Sequence, residues 1–376
     1  MKKIAFNTRL LIKDKMDGIG LFTLETLKIL VKSYPEIEFY FIFDRTPNPE
    51  FIFSKNIIPV IIKPPTRHIY LFNYWYQYAL KKQLSKINPD IFVATDGMFP
   101  LKTKTKTLAV IHDIYFEHHP EQLPKSVLNF YLTNFPKFAK QATRIATVSE
   151  FSKKDICTTY KIDENKIDVV YNGSNENFIP IPTSEQTKVK EQYTDGYDYF
   201  LFVGTLHPRK NLINLFKAFE QFKITTKSPK KLLVVGRKMW WTPEIEAALN
   251  SLSFKNDIIL AGRVTEHELY KITASAYALT YTPIFEGFGI PLVEAMSCGT
   301  PVISSNITSM PEVVEEAGIL VDPFSVEDIA NAMIRMNDEH CLRGNLSEKS
   351  IIQAKKFSWQ KTADLLWDSI QKTINA

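Results

Sequence analysis

Phe285-Glu286-Gly287-Phe288-Gly289-Ile290-Pro291-Leu292-Val293-Glu294-Ala295-Met296-Ser297-Cys298-Gly299-Thr300-Pro301-Val302 puts two acids on either side of a glycine-rich turn. Gly287 and Gly289 allow the backbone to turn tightly and to approach a ligand closely. Pro291 suits the first turn of a helix, where its missing N–H costs little. The expected helix runs from Leu292 to Cys298, and Gly299 with Pro301 ends it. Its free N–H groups and dipole then face the turn, which favours an anion such as phosphate. Glu286 would lie beside that anion and Glu294 two turns along the helix. Such a cradle suits a ligand carrying both phosphate and hydroxyls, such as a sugar nucleotide. The same pattern also occurs at plain strand-to-helix junctions of α/β domains, so the stretch alone leaves both readings open.

The rest of the chain narrows the setting. At 376 residues it is long for one core and suits two α/β domains. A content of 45% hydrophobic and 23% charged residues is that of a globular protein rather than a disordered one. No run of about 18 uncharged apolar residues occurs, so no membrane-spanning helix is expected. The apolar stretch between Lys3 and Arg9 is too short for a signal-peptide core and reads as a first strand. Cys157, Cys298 and Cys341 are widely spaced and form no pair motif, which points to a reducing, cytoplasmic compartment and no zinc site. Up to Pro180 the chain holds 25 Lys and Arg against 18 Asp and Glu, so the net charge of +5 resides in its first half. That surplus suggests an anionic partner. No nucleic-acid-binding motif accompanies it, which favours the inner face of a cell membrane over nucleic acid.

Both halves alternate short apolar strands with helical stretches, the pattern of parallel sheets covered by helices. Residues 1–178 are expected to form one Rossmann-like, doubly wound domain and residues 199–356 a second. Residues 179–198 lose periodicity, gather prolines and polar residues, and read as a linker. A helical pattern over 357–376 is expected to pack back on the first domain. Two such domains would face a central cleft at the carboxyl ends of their strands.

Several further groups fall at strand ends. Arg209 and Lys210 follow the first strand of the second half and precede its first helix, a placement suited to a diphosphate or to a solvated basic turn. Gly18 and Gly20 sit between the first strand and the first helix, where a phosphate-facing loop is expected. They lack the third glycine of a dinucleotide fingerprint. His112 ends a strand of the first half and is either a cleft residue or a satisfied structural histidine. The aromatic and basic stretch Arg67 to Lys86 reads as core or as a membrane-headgroup contact.

The Glu286-to-Glu294 spacing, together with Val203–Leu212, His112-Asp113 and Asn306–Glu312, resembles the retaining glycosyltransferases of family GT4, in their mannosyltransferase-like branch. The resemblance implies a GT-B fold of α/β class and transfer of a hexose, favoured as mannose from GDP-mannose, to a glycan or lipid-linked saccharide. It implies no cofactor and no metal, in keeping with the absence of an Asp-x-Asp motif. Family roles carried onto matching positions make His112 and Glu286 catalytic and Glu294 a ribose ligand. Gly18, Gly20, Arg209, Lys210 and the N–H groups of Phe288, Gly289 and Ile290 would bind the diphosphate. Arg237, Lys238, Arg263 and Val264 would lie at the base. Thr205 stands where many relatives carry an arginine, so one usual phosphate contact must come from elsewhere. No chemistry is derived for Asn306–Glu312. The rival readings are a GT-B epimerase or phosphorylase, and a non-catalytic two-domain binding protein.

Overall fold

A computed structural model describes residues 2–66 and 69–376. The chain divides into two compact units, one of residues up to Asn172 together with Trp359–Ala376, the other Gly173–Ser358.

The first unit carries seven strands: β1 (Lys3–Asn7), β2 (Glu38–Phe43), β3 (Ile57–Ile61), β4 (Ile91–Ala94), β5 (Thr107–Val110), β6 (Arg144–Thr147) and β7 (Ile167–Val169). They form one parallel sheet in the order β3-β2-β1-β4-β5-β6-β7. The second unit carries β8 (Tyr199–Val203), β9 (Lys231–Val235), β10 (Ile258–Gly262), β11 (Ala278–Tyr281), β12 (Val302–Ser305) and β13 (Gly318–Val321). These also pair in parallel, in the order β10-β9-β8-β11-β12-β13. Strand segments such as Phe41–Phe43 and Phe200–Phe202 are buried on both faces, as continuous apolar runs in a covered parallel sheet require. Each sheet reverses its winding once, between β1 and β4 and between β8 and β11. Such switch points open a crevice at the carboxyl ends of the strands, where open α/β sheets bind ligands.

The alternation of short apolar strands with helices expected from the sequence is present in both units. The linker is the main correction. Residues 183–194, inside the expected 179–198 linker, form a helix, Thr183–Thr194, that belongs to the second unit. It packs on the helix Glu266–Ser275, with Tyr193 Oη donating to Glu268 at 3.1 Å. The helix has no apolar stripe to betray it, because only Val189 and Thr194 are buried.

The last helix, Trp359–Asn375, lies in the first unit. Asp168 on β7 binds it through Ser369 Oγ at 2.8 Å and Lys372 Nζ at 3.0 Å, and also pairs with Arg144. Trp367 stacks on Tyr34 with ring centroids 3.7 Å apart. The aromatic stretch contributes to the core of the first unit, as one of its two expected readings has it. Arg67 and His68 lie outside the described residues. Downstream, the helical run passes through a π-helical segment, Trp75–Leu80. Trp75 and Tyr76 are wholly buried, whereas Tyr74 and Tyr78 are exposed and stack on each other.

Candidate active site

The charged residues of the second unit converge at its switch point, between the loops that follow β8 and β11. After β8 the chain makes a short 3₁₀ turn, Pro208–Lys210, rather than entering a helix directly. His207 caps this turn, its Nδ1 accepting the N–H of Arg209 at 3.1 Å. Burial, and then the charges of Arg209 and Lys210, push the His207 imidazole down to about 4, so it is neutral at pH 7. Asn211 follows at a φ of 64°, a left-handed conformation that asparagine tolerates. Its Nδ2 donates to the carbonyls of Thr282 at 3.0 Å and Pro323 at 2.6 Å, tying the turn to the loops after β11 and β13. A second stitch joins Ile284 N–H to the Arg209 carbonyl at 2.9 Å.

Glu286 stands at the centre. Arg209 Nη1 lies 2.8 Å from Glu286 Oε1, and Lys210 Nζ donates to the same oxygen. The Tyr281 hydroxyl accepts from Lys210 and donates to Glu286. Burial opposes ionisation of Glu286, but Arg209, Lys210 and these hydrogen bonds hold its carboxyl below the ordinary range. Glu286 is therefore an anion at neutral pH, shared between two cations.

Glu294 has the opposite character. It sits in the middle of the helix Ile290–Ser297 and is 8% exposed. Among the described residues no donor reaches its carboxyl group. Burial, reinforced by Glu266, pushes it up to about 8. The two acids of the opening motif thus differ in protonation because one has cations and the other has none.

The turn between them is shaped by Gly289, which caps the helix at a φ of 92°. That conformation favours glycine, and a Cβ there would lie 2.9 Å from Met310 Cε, so the end of the Met310 side chain packs against the turn. Pro291 falls in the first helical turn, and the helix begins at Ile290, two residues earlier than expected. Met310 belongs to Asn306–Glu312, the segment for which sequence suggested no chemistry. In the same segment Ser309 Oγ donates to the Glu286 carbonyl at 2.9 Å, and Thr308 adopts a φ of 58°, unusual for a β-branched residue. These residues grip both ends of the Glu286-to-Gly289 turn. Reading the sequence missed them, and it missed Tyr281 and Asn211, because each acts through a contact far away in the chain.

The loops after β9 and β10 run alongside. A Cβ at Gly236 would lie 1.8 Å from the Gly204 carbonyl oxygen, so the loops after β8 and β9 touch there. The Arg237 carbonyl accepts from Leu206 N–H at 3.0 Å, and Gly236 N–H donates to the Gly262 carbonyl at 2.8 Å. Lys238 lies over the Trp241 ring at 4.5 Å, and Trp240 meets His207 edge-on at 5.2 Å. Arg263 and Val264 follow Gly262 at the end of β10.

In the first unit, Gly18 and Gly20 are not in a loop. They form the first turn of the helix Gly18–Ser33, and the Asp17 carboxylate accepts the Gly20 N–H at 3.2 Å. The expected glycine loop is thus a helix N-terminus, capped by a side chain of the chain itself. His112 follows β5, half-buried, with its ring edge-on to Phe22 at 5.1 Å. Its Nε2 is 3.1 Å from the Thr95 carbonyl, which can only accept, so Nε2 carries the proton. Burial lowers its pKa and favours the neutral ring.

Comparison with known proteins places this geometry in a class. The sucrose-phosphate synthase of Thermosynechococcus elongatus superposes with a TM-score of 0.80 at 16% identity, over 99% of both chains. Anabaena HepE, solved in complex with UDP and glucose, superposes with a TM-score of 0.78 at 16% identity, also over 99% of both. The fold is GT-B, built of two parallel-sheet Rossmann-like units. Residues 183–357 match the family model for glycosyl transferases group 1, and residues 16–178 match that for glycosyltransferase family 4. O-antigen chain mannosyltransferase B of Escherichia coli is 30% identical over 272 residues, 72% of this chain and 70% of that protein. The O-antigen chain mannosyltransferase RfbU of Salmonella typhimurium is 31% identical over 280 residues, 72% of this chain and 73% of that protein. The chain belongs to glycosyltransferase family 4 and resembles its mannosyltransferases.

Proposed function

We propose that this protein transfers mannose from GDP-mannose, with retention of anomeric configuration and without a metal ion. The acceptor in this reading is a growing saccharide, free or lipid-linked, of a surface polysaccharide of the O-antigen kind. The observation that carries the reading is the pair of cations Arg209 and Lys210 at the switch point of the second sheet, next to the turn that opens the helix Ile290–Ser297. Fixed cations and helix N–H groups are what a departing diphosphate requires as its charge grows, and they do this work without a metal. Mannose is favoured by the named activities of the E. coli and Salmonella relatives.

In the proposed reaction the bond from the sugar C1 to the diphosphate oxygen breaks while the acceptor oxygen bonds to C1 on the same face. The acceptor's proton passes to the departing diphosphate oxygen. Arg209, Lys210 and the N–H groups of Phe288, Gly289 and Ile290 stabilise the diphosphate, Glu286 serves the sugar, and Glu294 takes the ribose hydroxyls. His112 serves the sugar in keeping with the family resemblance. Arg237, Lys238, Arg263 and Val264 are assigned to the base.

Peripheral contact with an anionic membrane is part of the proposal. Exposed Tyr74 and Tyr78 lie on the same helical run as Lys81, Lys82 and Lys86, and no acidic residue occurs between Glu50 and Asp90. Among the described residues no helix is long and apolar enough to cross a membrane.

A thermal-shift series with GDP-mannose, UDP-glucose and ADP-glucose tests the donor, because a ligand bound only by the folded state raises Tm. GDP-mannose is expected to give the largest shift, and a larger shift with either rival would reassign the base. Release of GDP only when an acceptor saccharide is added separates transfer from epimerisation.

A further inference from the structure

The two cations assigned to the diphosphate are both engaged by a single carboxylate oxygen. Arg209 Nη1 approaches Glu286 Oε1 at 2.8 Å, and Lys210 Nζ bonds to that same atom. The side chains of Lys210 and Glu286 are only 9% and 10% exposed, so water screens the pair weakly. A diphosphate brought onto Arg209 and Lys210 would set its own negative charge against the Glu286 carboxylate in this shielded place, and like charges there repel strongly.

We infer that Glu286 competes with the donor diphosphate for Arg209 and Lys210, and so sets the enzyme's affinity for nucleotide in addition to serving the sugar. As the diphosphate binds, the carboxylate leaves the cations; as the nucleoside diphosphate departs, it returns to them. The main chain is built for such an exchange. Ser309 holds the Glu286 carbonyl at 2.9 Å, so the side chain can swing while the turn stays in place. The inference rests on the reading of Arg209 and Lys210 as the diphosphate site.

The opposite arrangement has equal precedent in chemistry. Arginine has five N–H donors and lysine three, enough in number to hold a carboxylate and a phosphate together. Glu286 would then be a brace for the cations, and removing it would loosen them and weaken binding. Competitor and brace predict opposite signs.

Calorimetric titration of the full chain with inorganic pyrophosphate reads that sign without depending on the base. Glu286→Gln is expected to bind pyrophosphate about tenfold more tightly than the parent, equivalent to about 1.4 kcal/mol. Glu286→Asp keeps the charge in the cluster but draws it back by one methylene, so it folds under the same charge balance and tightens binding by less. Unchanged or weaker binding in the two variants overturns the inference. Arg209→Gln tests the underlying reading separately: it is expected to bind at least about tenfold more weakly. Parent-like binding by Arg209→Gln would remove the diphosphate site itself, whereas weak binding there with no gain in the Glu286 variants would remove only the competition.

Discussion

An arginine, a carboxylate and a tyrosine meet at the switch point of each sheet, but the two clusters differ in how many cations share the carboxylate. In the first unit Arg9 follows β1 and Asp96 follows β4. Asp96 accepts from four donors, two on each oxygen: Asn7 Nδ2 and Met98 N–H on one, Arg9 Nη2 and Tyr76 Oη on the other. One cation meets one anion, every acceptor site is used, and the guanidinium lies over the rings of Phe72 and Tyr76. In the second unit two cations, Arg209 and Lys210, share one oxygen of Glu286. A saturated, neutral cluster fastens the strand ends of a fold. A carboxylate shared by two cations is one for which an incoming anion can compete. On the proposed reading, equivalent places in two similar sheets carry a structural and a chemical duty.

Substitutions can break that distinction, the most severe first. Lys210→Ala should lower transfer by at least about a hundredfold, as losing one fixed donor to developing charge does elsewhere, with a melting temperature near the parent's. Glu286→Ala should abolish transfer likewise, and near-normal turnover in both variants would sink the site. Asp96→Asn should act on the fold instead, because Arg9 loses its anion while remaining buried. A loss of about 3 kcal/mol in denaturant unfolding is expected, with pyrophosphate binding retained. If Asp96→Asn weakened pyrophosphate binding as much as Arg209→Gln does, the two clusters would not be separable by function. Ser309→Ala frees the Glu286 carbonyl and should lower kcat about tenfold with KM for the donor little changed, while Ser309→Thr restores part of it.

The two acids of the opening motif give a smaller, pH-dependent effect. Glu294, ordinarily near 4.5, titrates at about 8 in the folded chain. The folded state therefore holds a proton that the unfolded state has lost, and stability falls as pH rises from about 5 to 8. Melting curves of the parent should show this decline, and Glu294→Gln should flatten it. Glu286, depressed rather than raised, contributes in the other direction and only in acid, where protonation costs its pairing. Smallest of all, Lys81→Glu with Lys82→Glu should reduce co-sedimentation with anionic liposomes at low salt and leave transfer to a soluble acceptor unchanged. Failure of the parent to sediment would remove the membrane contact.

Much of this was legible in the chain before any coordinates. Strands announce themselves when both faces are covered, since each becomes a short apolar run bounded by turn residues. The Phe285–Val302 stretch and the Arg209-Lys210 pair are local patterns, and they come together because both follow strands at one switch point. Other features left no local mark. The helix Thr183–Thr194 is polar almost all round, so its composition resembles a linker. Arg9 and Asp96 are 87 residues apart, and nothing near either announces the other. Gly18 and Gly20 misled because glycines ahead of a helix suggest a loop, whereas Asp17 supplies a cap that starts the helix sooner. Ser309 and Met310 were visible only as words resembling a family, and their contacts give those words a physical meaning.

The return of the last helix to β7 has a consequence for how the chain comes into being. Asp168 cannot close on Ser369 and Lys372 until the final residues have been synthesised. The second unit is an uninterrupted span, Gly173–Ser358, whose ends are neighbours, since Ser174 and Ser358 pair in a parallel bridge. Domains fold as units while the ribosome is still working, usually from the N-terminus onward. Here the unit begun first is finished last, and the unit that holds Arg209, Lys210 and Glu286 can be complete while its older companion still waits for the helix Trp359–Asn375.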